Sequence, residues 1–264
     1  MIEAILFMVA LIASGLGSVA GYGGGVIIKP VLDALHIMPV STISFLSGCT
    51  VLTMSAISLL RSRGNGVVLH LRTTTPLALG AAAGGLLGKW MFELLRERAD
   101  ESMLGFVQAV LMLITTGFVF FYTIEKEKFP SYCLISISGC FLAGMLLGIV
   151  STFLGIGGGP LNVSLLFFLF SMDAKEAAKN SIFIILLSQT VSLLSALAQH
   201  NIPSFAPHHF ILMAAGGVAG ALLGSSIGKR MDNHAVEKIL TGLILLIIVI
   251  NIYNVICFGM DAVM

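Results

Sequence analysis

Two glycine clusters carry the pattern most open to chemistry. Gly21-Tyr22-Gly23-Gly24-Gly25 recurs as Gly155-Ile156-Gly157-Gly158-Gly159, and a short apolar stretch follows each, at 26–35 and 161–170. Glycine weakens a helix by roughly 1 kcal/mol relative to alanine, so three or four together break it. A break leaves unpaired N–H groups at the start of the next helix, where the positive end of the helix dipole also lies. Such an end binds anions, and the missing Cβ lets an anion approach the backbone. Pro160 suits the first turn of a helix, where its absent N–H is not needed. The candidate substrate contacts are therefore Gly23, Gly24, Gly25, Gly157, Gly158 and Gly159. The competing reading is that these glycines only permit close helix packing.

Other polar groups stand near the clusters in sequence. Lys29 and Asp33 are four residues apart and share a helix face. In a re-entrant helix they would lie at membrane depth, where a charge signals function; otherwise they form an interfacial pair. Asn180, Ser181 and Gln189 follow the second cluster, and their amides and hydroxyl can donate to the oxygens of an anion. Helix-to-helix hydrogen bonding is the alternative. Ser47, with Thr50 and Ser55, is the weaker counterpart in the first half. Lys29 and Ser47 complete the candidate set with Asn180, Ser181 and Gln189.

The elements that must position these groups follow from composition. The chain has 264 residues, 57% hydrophobic and 10% charged, with a mean hydropathy of +1.03. A soluble domain carries about 25% charged residues, so soluble enzymes, nucleic-acid binders and disordered chains are excluded. A span takes roughly 20 apolar residues. Eight candidates emerge: 2–20, 39–60, 75–91, 103–123, 131–154, 177–199, 209–227 and 236–258. The stretches at 26–35 and 161–170 are too short to span as helices and read as discontinuous or re-entrant pieces. The expected fold is all-α and polytopic. The first stretch lacks a basic n-region and reads as a span, not a signal peptide. With the N-terminus outside and eight spans alternating, nine of the fourteen Lys and Arg residues fall in inner loops. Both termini are accordingly expected outside.

The chain repeats itself. The glycine clusters and Ser47/Ser181 share one offset, half the chain length, and Ala83–Gly88 matches Ala219–Gly224 at nearly the same offset. The reading is a first four-span repeat at 1–124, a charged linker at 125–130 and a second four-span repeat at 131–264. Four spans per repeat would bring the copies in with the same orientation. Gly80, Gly84 and Gly88, like Gly216, Gly220, Gly224 and Gly228, recur every fourth residue and form packing stripes.

Gly21-x-Gly-Gly-Gly-Val-Ile-Ile-x-Pro30 and Gly155-x-Gly-Gly-Gly-Pro160, each opening a four-span half, resemble the sulfite exporter TauE/SafE family, also called the 4-toluene sulfonate uptake permease family. The resemblance covers essentially the whole chain. It implies transport of small sulfur-containing anions such as sulfite, sulfonates or sulfoacetate, in a family with both exporters and importers. The family's second span opens with a small polar pair, matched here by Asn180-Ser181 and by Leu46-Ser47, where Leu46 departs from the pattern. Lys29 stands where the family often has a small or apolar residue.

The expectation is a plasma-membrane secondary transporter exporting such anions, with the lipid bilayer as its surroundings. A non-transporting scaffold or assembly protein and an anion channel are the alternatives. The sequence gives no sign of catalysis. No metal-ligand spacing, nucleotide motif or thiol pair appears, so no cofactor, metal, nucleotide or nucleic-acid partner is expected. Homo-oligomerisation, the coupling ion and the exact substrate stay open.

Overall fold

A computed structural model describes residues 2–62, 69–98, 100–125, 128, 136–199 and 202–261. The junction expected at 125–130 lies mostly outside them, as does Cys133. Ten helices occupy the described residues, and no strand is found among them. They are α1 (Ile2–Ala20), α2 (Gly25–Ala34), α3 (Val40–Arg61), α4 (Leu71–Arg96), α5 (Glu101–Glu125), α6 (Ile137–Phe153), α7 (Gly159–Phe170), α8 (Ala174–Ala198), α9 (Pro207–Gly228) and α10 (Asn233–Asp261). Among the described residues six helices, α1, α3, α5, α8, α9 and α10, are long and apolar enough to cross a membrane. The outer faces of the bundle expose large apolar side chains such as Trp90, Ile114, Phe118, Leu146 and Ile211. That surface is stable only against lipid.

Local chemistry sets the helix starts. Asp173 caps α8, its carboxylate accepting from the Glu176 N–H at 2.9 Å, and Ser136 caps α6 through the Gly139 N–H. Proline opens α9 at Pro207 and stands in the first turn of α7 at Pro160. Both sites forgive its missing N–H. Inside α2, Pro30 interrupts the hydrogen-bond ladder. Its carbonyl accepts from Asn254 Nδ2 of α10 at 3.0 Å, so α10 braces the short helix.

The packing is reciprocal between helices one to five and six to ten. α1 lies against α9 as α6 lies against α4; α3 meets α9 as α8 meets α4; α3 meets α8, and α5 meets α10. The two glycine stripes make the tightest contacts. A Cβ on Gly80, Gly84 or Gly88 would run into the carbonyls of Phe141, Met145 and Ile149. On the other side Gly220 and Gly224 sit on the backbone of Leu11 and Gly15. In both pairs residue numbers rise together, so α1 and α9 run in the same direction, and so do α4 and α6. With two backbones this close, dispersion replaces side-chain interdigitation.

Helix directions depart from the expected alternation. Ser18 Oγ at the end of α1 lies 2.5 Å from Ser58 Oγ at the end of α3, so α1 and α3 run the same way. α4 runs back. The end of α3 and the start of α4 both meet the start of α8, through Lys179 Nζ to the Ser62 carbonyl and Thr74 Oγ1 to Asn180 Oδ1. Since α6 follows α4, α1 and α6 point in opposite directions. α1 and α3 therefore run opposite to α6 and α8, where like orientation of the two halves was expected. The physical reason lies at residues 21–34, which return the chain to the end where it began.

Candidate functional site

The two breaks meet in the middle of the bundle. The residue before each short helix, Gly24 with φ 71° and Gly158 with φ 101°, takes a left-handed backbone that side chains disfavour. Tyr22 N–H donates to the Gly17 carbonyl at 3.1 Å, and Ile156 N–H donates to the Ser151 carbonyl at 3.1 Å, closing the same turn in both copies. The loops then touch: a Cβ on Gly25 would stand 2.8 Å from the Ile156 carbonyl oxygen, and one on Gly159 would stand 2.9 Å from that of Tyr22. A side chain at either position would push the breaks apart.

Around this crossing stand α3 and α8. Gly23 faces Ile185 and Val51, and Gly157 faces the Gln189 amide and Val51. Ser47 points at Gly25, fully buried, and its hydroxyl has no hydrogen-bond partner among the described residues. The Gln189 side chain, 6% exposed, lies between Gly157 and Gly48. The N–H groups of Gly23, Gly24, Gly157 and Gly158 donate no hydrogen bond among the described residues. Unmet buried donors of this kind are rare without a ligand or water. The positive dipole ends of α2 and α7 add to them.

The structure thus gathers Gly23, Gly24, Gly25, Gly157, Gly158, Gly159, Ser47 and Gln189. Ser181 acts on the loop itself, where its hydroxyl donates to the Gly21 carbonyl at 2.7 Å and pins the first break to α8. Asn180 is not brought to the crossing. Its Oδ1 accepts from Thr74 Oγ1 at 2.7 Å and His70 N–H at 3.1 Å, and its Nδ2 donates to the Glu176 carbonyl. Lys29 is 1% exposed and its Nζ lies 2.6 Å from Asp33 Oδ2, so the pair is buried inside the bundle. Its methylene chain packs by Gly155, two residues from Gly157 of the second break.

Sequence reasoning missed Val51 and Ile185, the apolar wall against Gly23. It also missed Asn162, whose amide folds back on Gly158. Only their place after or opposite a glycine cluster hinted at this. Two cavities flank the wall. One of about 90 Å³, toward the start of α3, includes Ser44, Thr152, Gly155, Gln189 and Lys89 in its lining. The other, about 330 Å³, lies toward the end of α3 beside Ser18, Ser58 and Lys179. Neither cavity is lined by Gly23–Gly25 or Gly157–Gly159, all of which are buried.

The family model for sulfite exporter TauE/SafE matches residues 6–251. The chain belongs to the sulfite exporter TauE/SafE family. This TauE/SafE chain is 22% identical to a probable membrane transporter protein, YunE of Bacillus subtilis (strain 168), over 92% of its own length and 94% of the relative's. A second relative, the probable membrane transporter protein y4hK of Sinorhizobium fredii (strain NBRC 101917 / NGR234), is 33% identical over 34% of this chain and 36% of its own. No solved structure matches. The TauE/SafE family is one of membrane transporters, and the apolar helices of this member fit a multi-pass membrane protein.

Proposed function

We propose that this chain is a secondary transporter that moves small sulfur oxyanions, of the sulfite, sulfonate or sulfoacetate type, out of the cell across the plasma membrane. The observation that carries the reading is the buried crossing of two helix starts, with four undonated N–H groups beside Ser47 and Gln189. A scaffold has no use for broken backbone at depth, which is tolerated only inside protein or beside a wet cavity. An open channel fits poorly with the apolar Val51 and Ile185, which stand on α3 and α8 between the residues that line the two cavities. Alternating access fits it, the wall opening to one cavity at a time.

In this reading the glycine segments complete two further crossings. Since α1 and α3 run the same way, the glycine turn and α2 between them must carry the chain back across the bundle. Ten crossings, five in each of two inverted repeats, then follow. The basic residues agree with that topology. Of the twelve described Lys and Arg residues, eight lie at the end where α3 stops: Arg61, Arg72, Lys128, Lys175, Lys179, Lys229, Arg230 and Lys238. Lys89, Arg96 and Arg98 lie at the other end, and Lys29 is buried inside the bundle. The basic end is cytoplasmic by the positive-inside rule, and both termini are outside.

The test is efflux of labelled sulfite or methanesulfonate from proteoliposomes under an imposed potassium-diffusion potential and no pH gradient. An interior-negative potential favours anion exit by about 2.3 kcal/mol per charge per 100 mV, so efflux should accelerate. Efflux that ignores the potential and follows a pH gradient would instead assign proton coupling. Absence of any protein-dependent flux would reject the transporter reading.

A further inference from the structure

We infer that the 330 Å³ cavity is a cytoplasmic anion-collecting vestibule whose recognition groups are Lys175, Lys179 and Lys229. The nature of the anion, a small sulfur oxyanion, rests on the transport reading above. The cavity lies between the ends of α1, α3 and α9 and the start of α8. Among its described lining residues none is acidic, and the hydroxyl residues Ser18, Ser58 and Ser62 stand beside the lysines. Glu176, the acidic neighbour on α8, faces His70 at 3.8 Å. Lys179 Nζ lies 3.4 Å from the Ser62 carbonyl, a neutral acceptor at the cavity wall.

Two features argue that this charge is placed for a ligand. Lys175 and Lys179 occupy the first turns of α8, where a cation opposes the positive end of the helix dipole. An anion between them relieves that repulsion and uses the same dipole. The second feature is the internal duplication. The repeat offsets carry the lining onto the 90 Å³ cavity at the other end, with Ser41, Phe45 and Glu93 standing where Lys175, Lys179 and Lys229 stand here. The fold therefore builds the cavity twice: this copy holds three lysines and no acid among its described lining, and the other holds Lys89 with the Arg96–Glu93 ion pair. Ala178, which lines the basic copy, is the residue against which Gly21 packs, so the vestibule abuts the first break.

The experiment places a cysteine at the cavity, Ser62→Cys, in a background with Cys49, Cys133, Cys140 and Cys257 replaced by alanine. Sealed vesicles of known orientation are treated with an anionic sulfonatoethyl and a cationic trimethylammonioethyl methanethiosulfonate. From the cytoplasmic face the anionic reagent should react more than tenfold faster, relative to a free thiol, and methanesulfonate should slow it. The triple variant K175Q/K179Q/K229Q should lose that preference. In the native cysteine background the same triple variant should raise the apparent KM for anion loaded from the cytoplasmic side at least tenfold, with the outer-side KM unchanged. Equal reagent rates, labelling only from outside, or equal KM changes on both sides would overturn the inference. If the reagent preference holds but wild-type protein moves no sulfur anion, the vestibule stands and the transport reading fails. If the cysteine-free chain does not reach the membrane, the sided KM measurement decides alone.

Discussion

The two short helices are built alike at their starts and differently along their lengths. α2 carries Lys29 and Asp33, buried as a 2.6 Å ion pair. At the matching offset α7 carries Val163 and Phe167, both buried and apolar. The start is where backbone N–H groups are presented, so both copies keep glycine there. The body is free to diverge, and only one copy holds charge at depth. In an inverted pair, opening to one side is opening to the other with the repeats exchanged. A charge pair in one copy alone therefore makes the two states unequal. The two cavities are unequal as well, since three lysines line one, while Lys89 and the Arg96–Glu93 ion pair line the other.

The sharpest way to break the comparison is at the starts. Gly24→Leu and Gly158→Leu should each abolish transport while protein still reaches the membrane, because both need a left-handed backbone. Uptake and efflux assays on membrane-verified protein check it; loss in only one variant would show that one break suffices. Next is the charge pair. Asp33→Ala or Lys29→Met alone leaves an uncompensated buried charge and should destabilise the protein by about 3–5 kcal/mol. The double variant Lys29→Val with Asp33→Phe, which copies the second repeat, should recover most of that in detergent unfolding. If it also transports with unchanged direction, the pair is structural and not the source of asymmetry.

A smaller effect separates the two matched serines. Ser47→Ala removes a hydroxyl with no partner among the described residues. Stability should hold while anion affinity falls about tenfold or more, the worth of a hydrogen bond to a charged group at roughly 1.5–3 kcal/mol. Ser181→Ala instead strands the Gly21 carbonyl and should lower stability by about 1–3 kcal/mol. Asn180→Ala is the mildest for transport: apparent affinity is unchanged, while loss of its bonds to Thr74 and His70 costs about 1–3 kcal/mol in unfolding.

The helices themselves are legible in the sequence. Apolar runs and glycine clusters mark all ten, including the short α2 and α7, because lipid imposes a length and glycine a break. Parity is not legible. Hydropathy cannot tell a re-entrant piece from fourteen residues that carry the chain back, so α1 and α3 read as alternating when they run together. The depth of Lys29 and Asp33 is also hidden, since a four-residue spacing gives a shared face and not the neighbour that buries it. Asn180 and Ser181 are adjacent in sequence, and adjacent helical residues point about 100° apart. One turns to α4 and the other to the first break.

The contact between α1 and α9 bears on how the protein is made. Gly15 of α1 meets Gly220 and Gly224 of α9 backbone to backbone, about 200 residues later in the chain. A ribosome adding roughly 5–20 residues per second needs on the order of ten to forty seconds to deliver that partner. For all of that interval the first helix lacks the partner that closes its glycine groove. Its counterpart α6 faces no such delay, because α4 precedes it. Of the two glycine seams, the N-terminal one is therefore the last that synthesis can close.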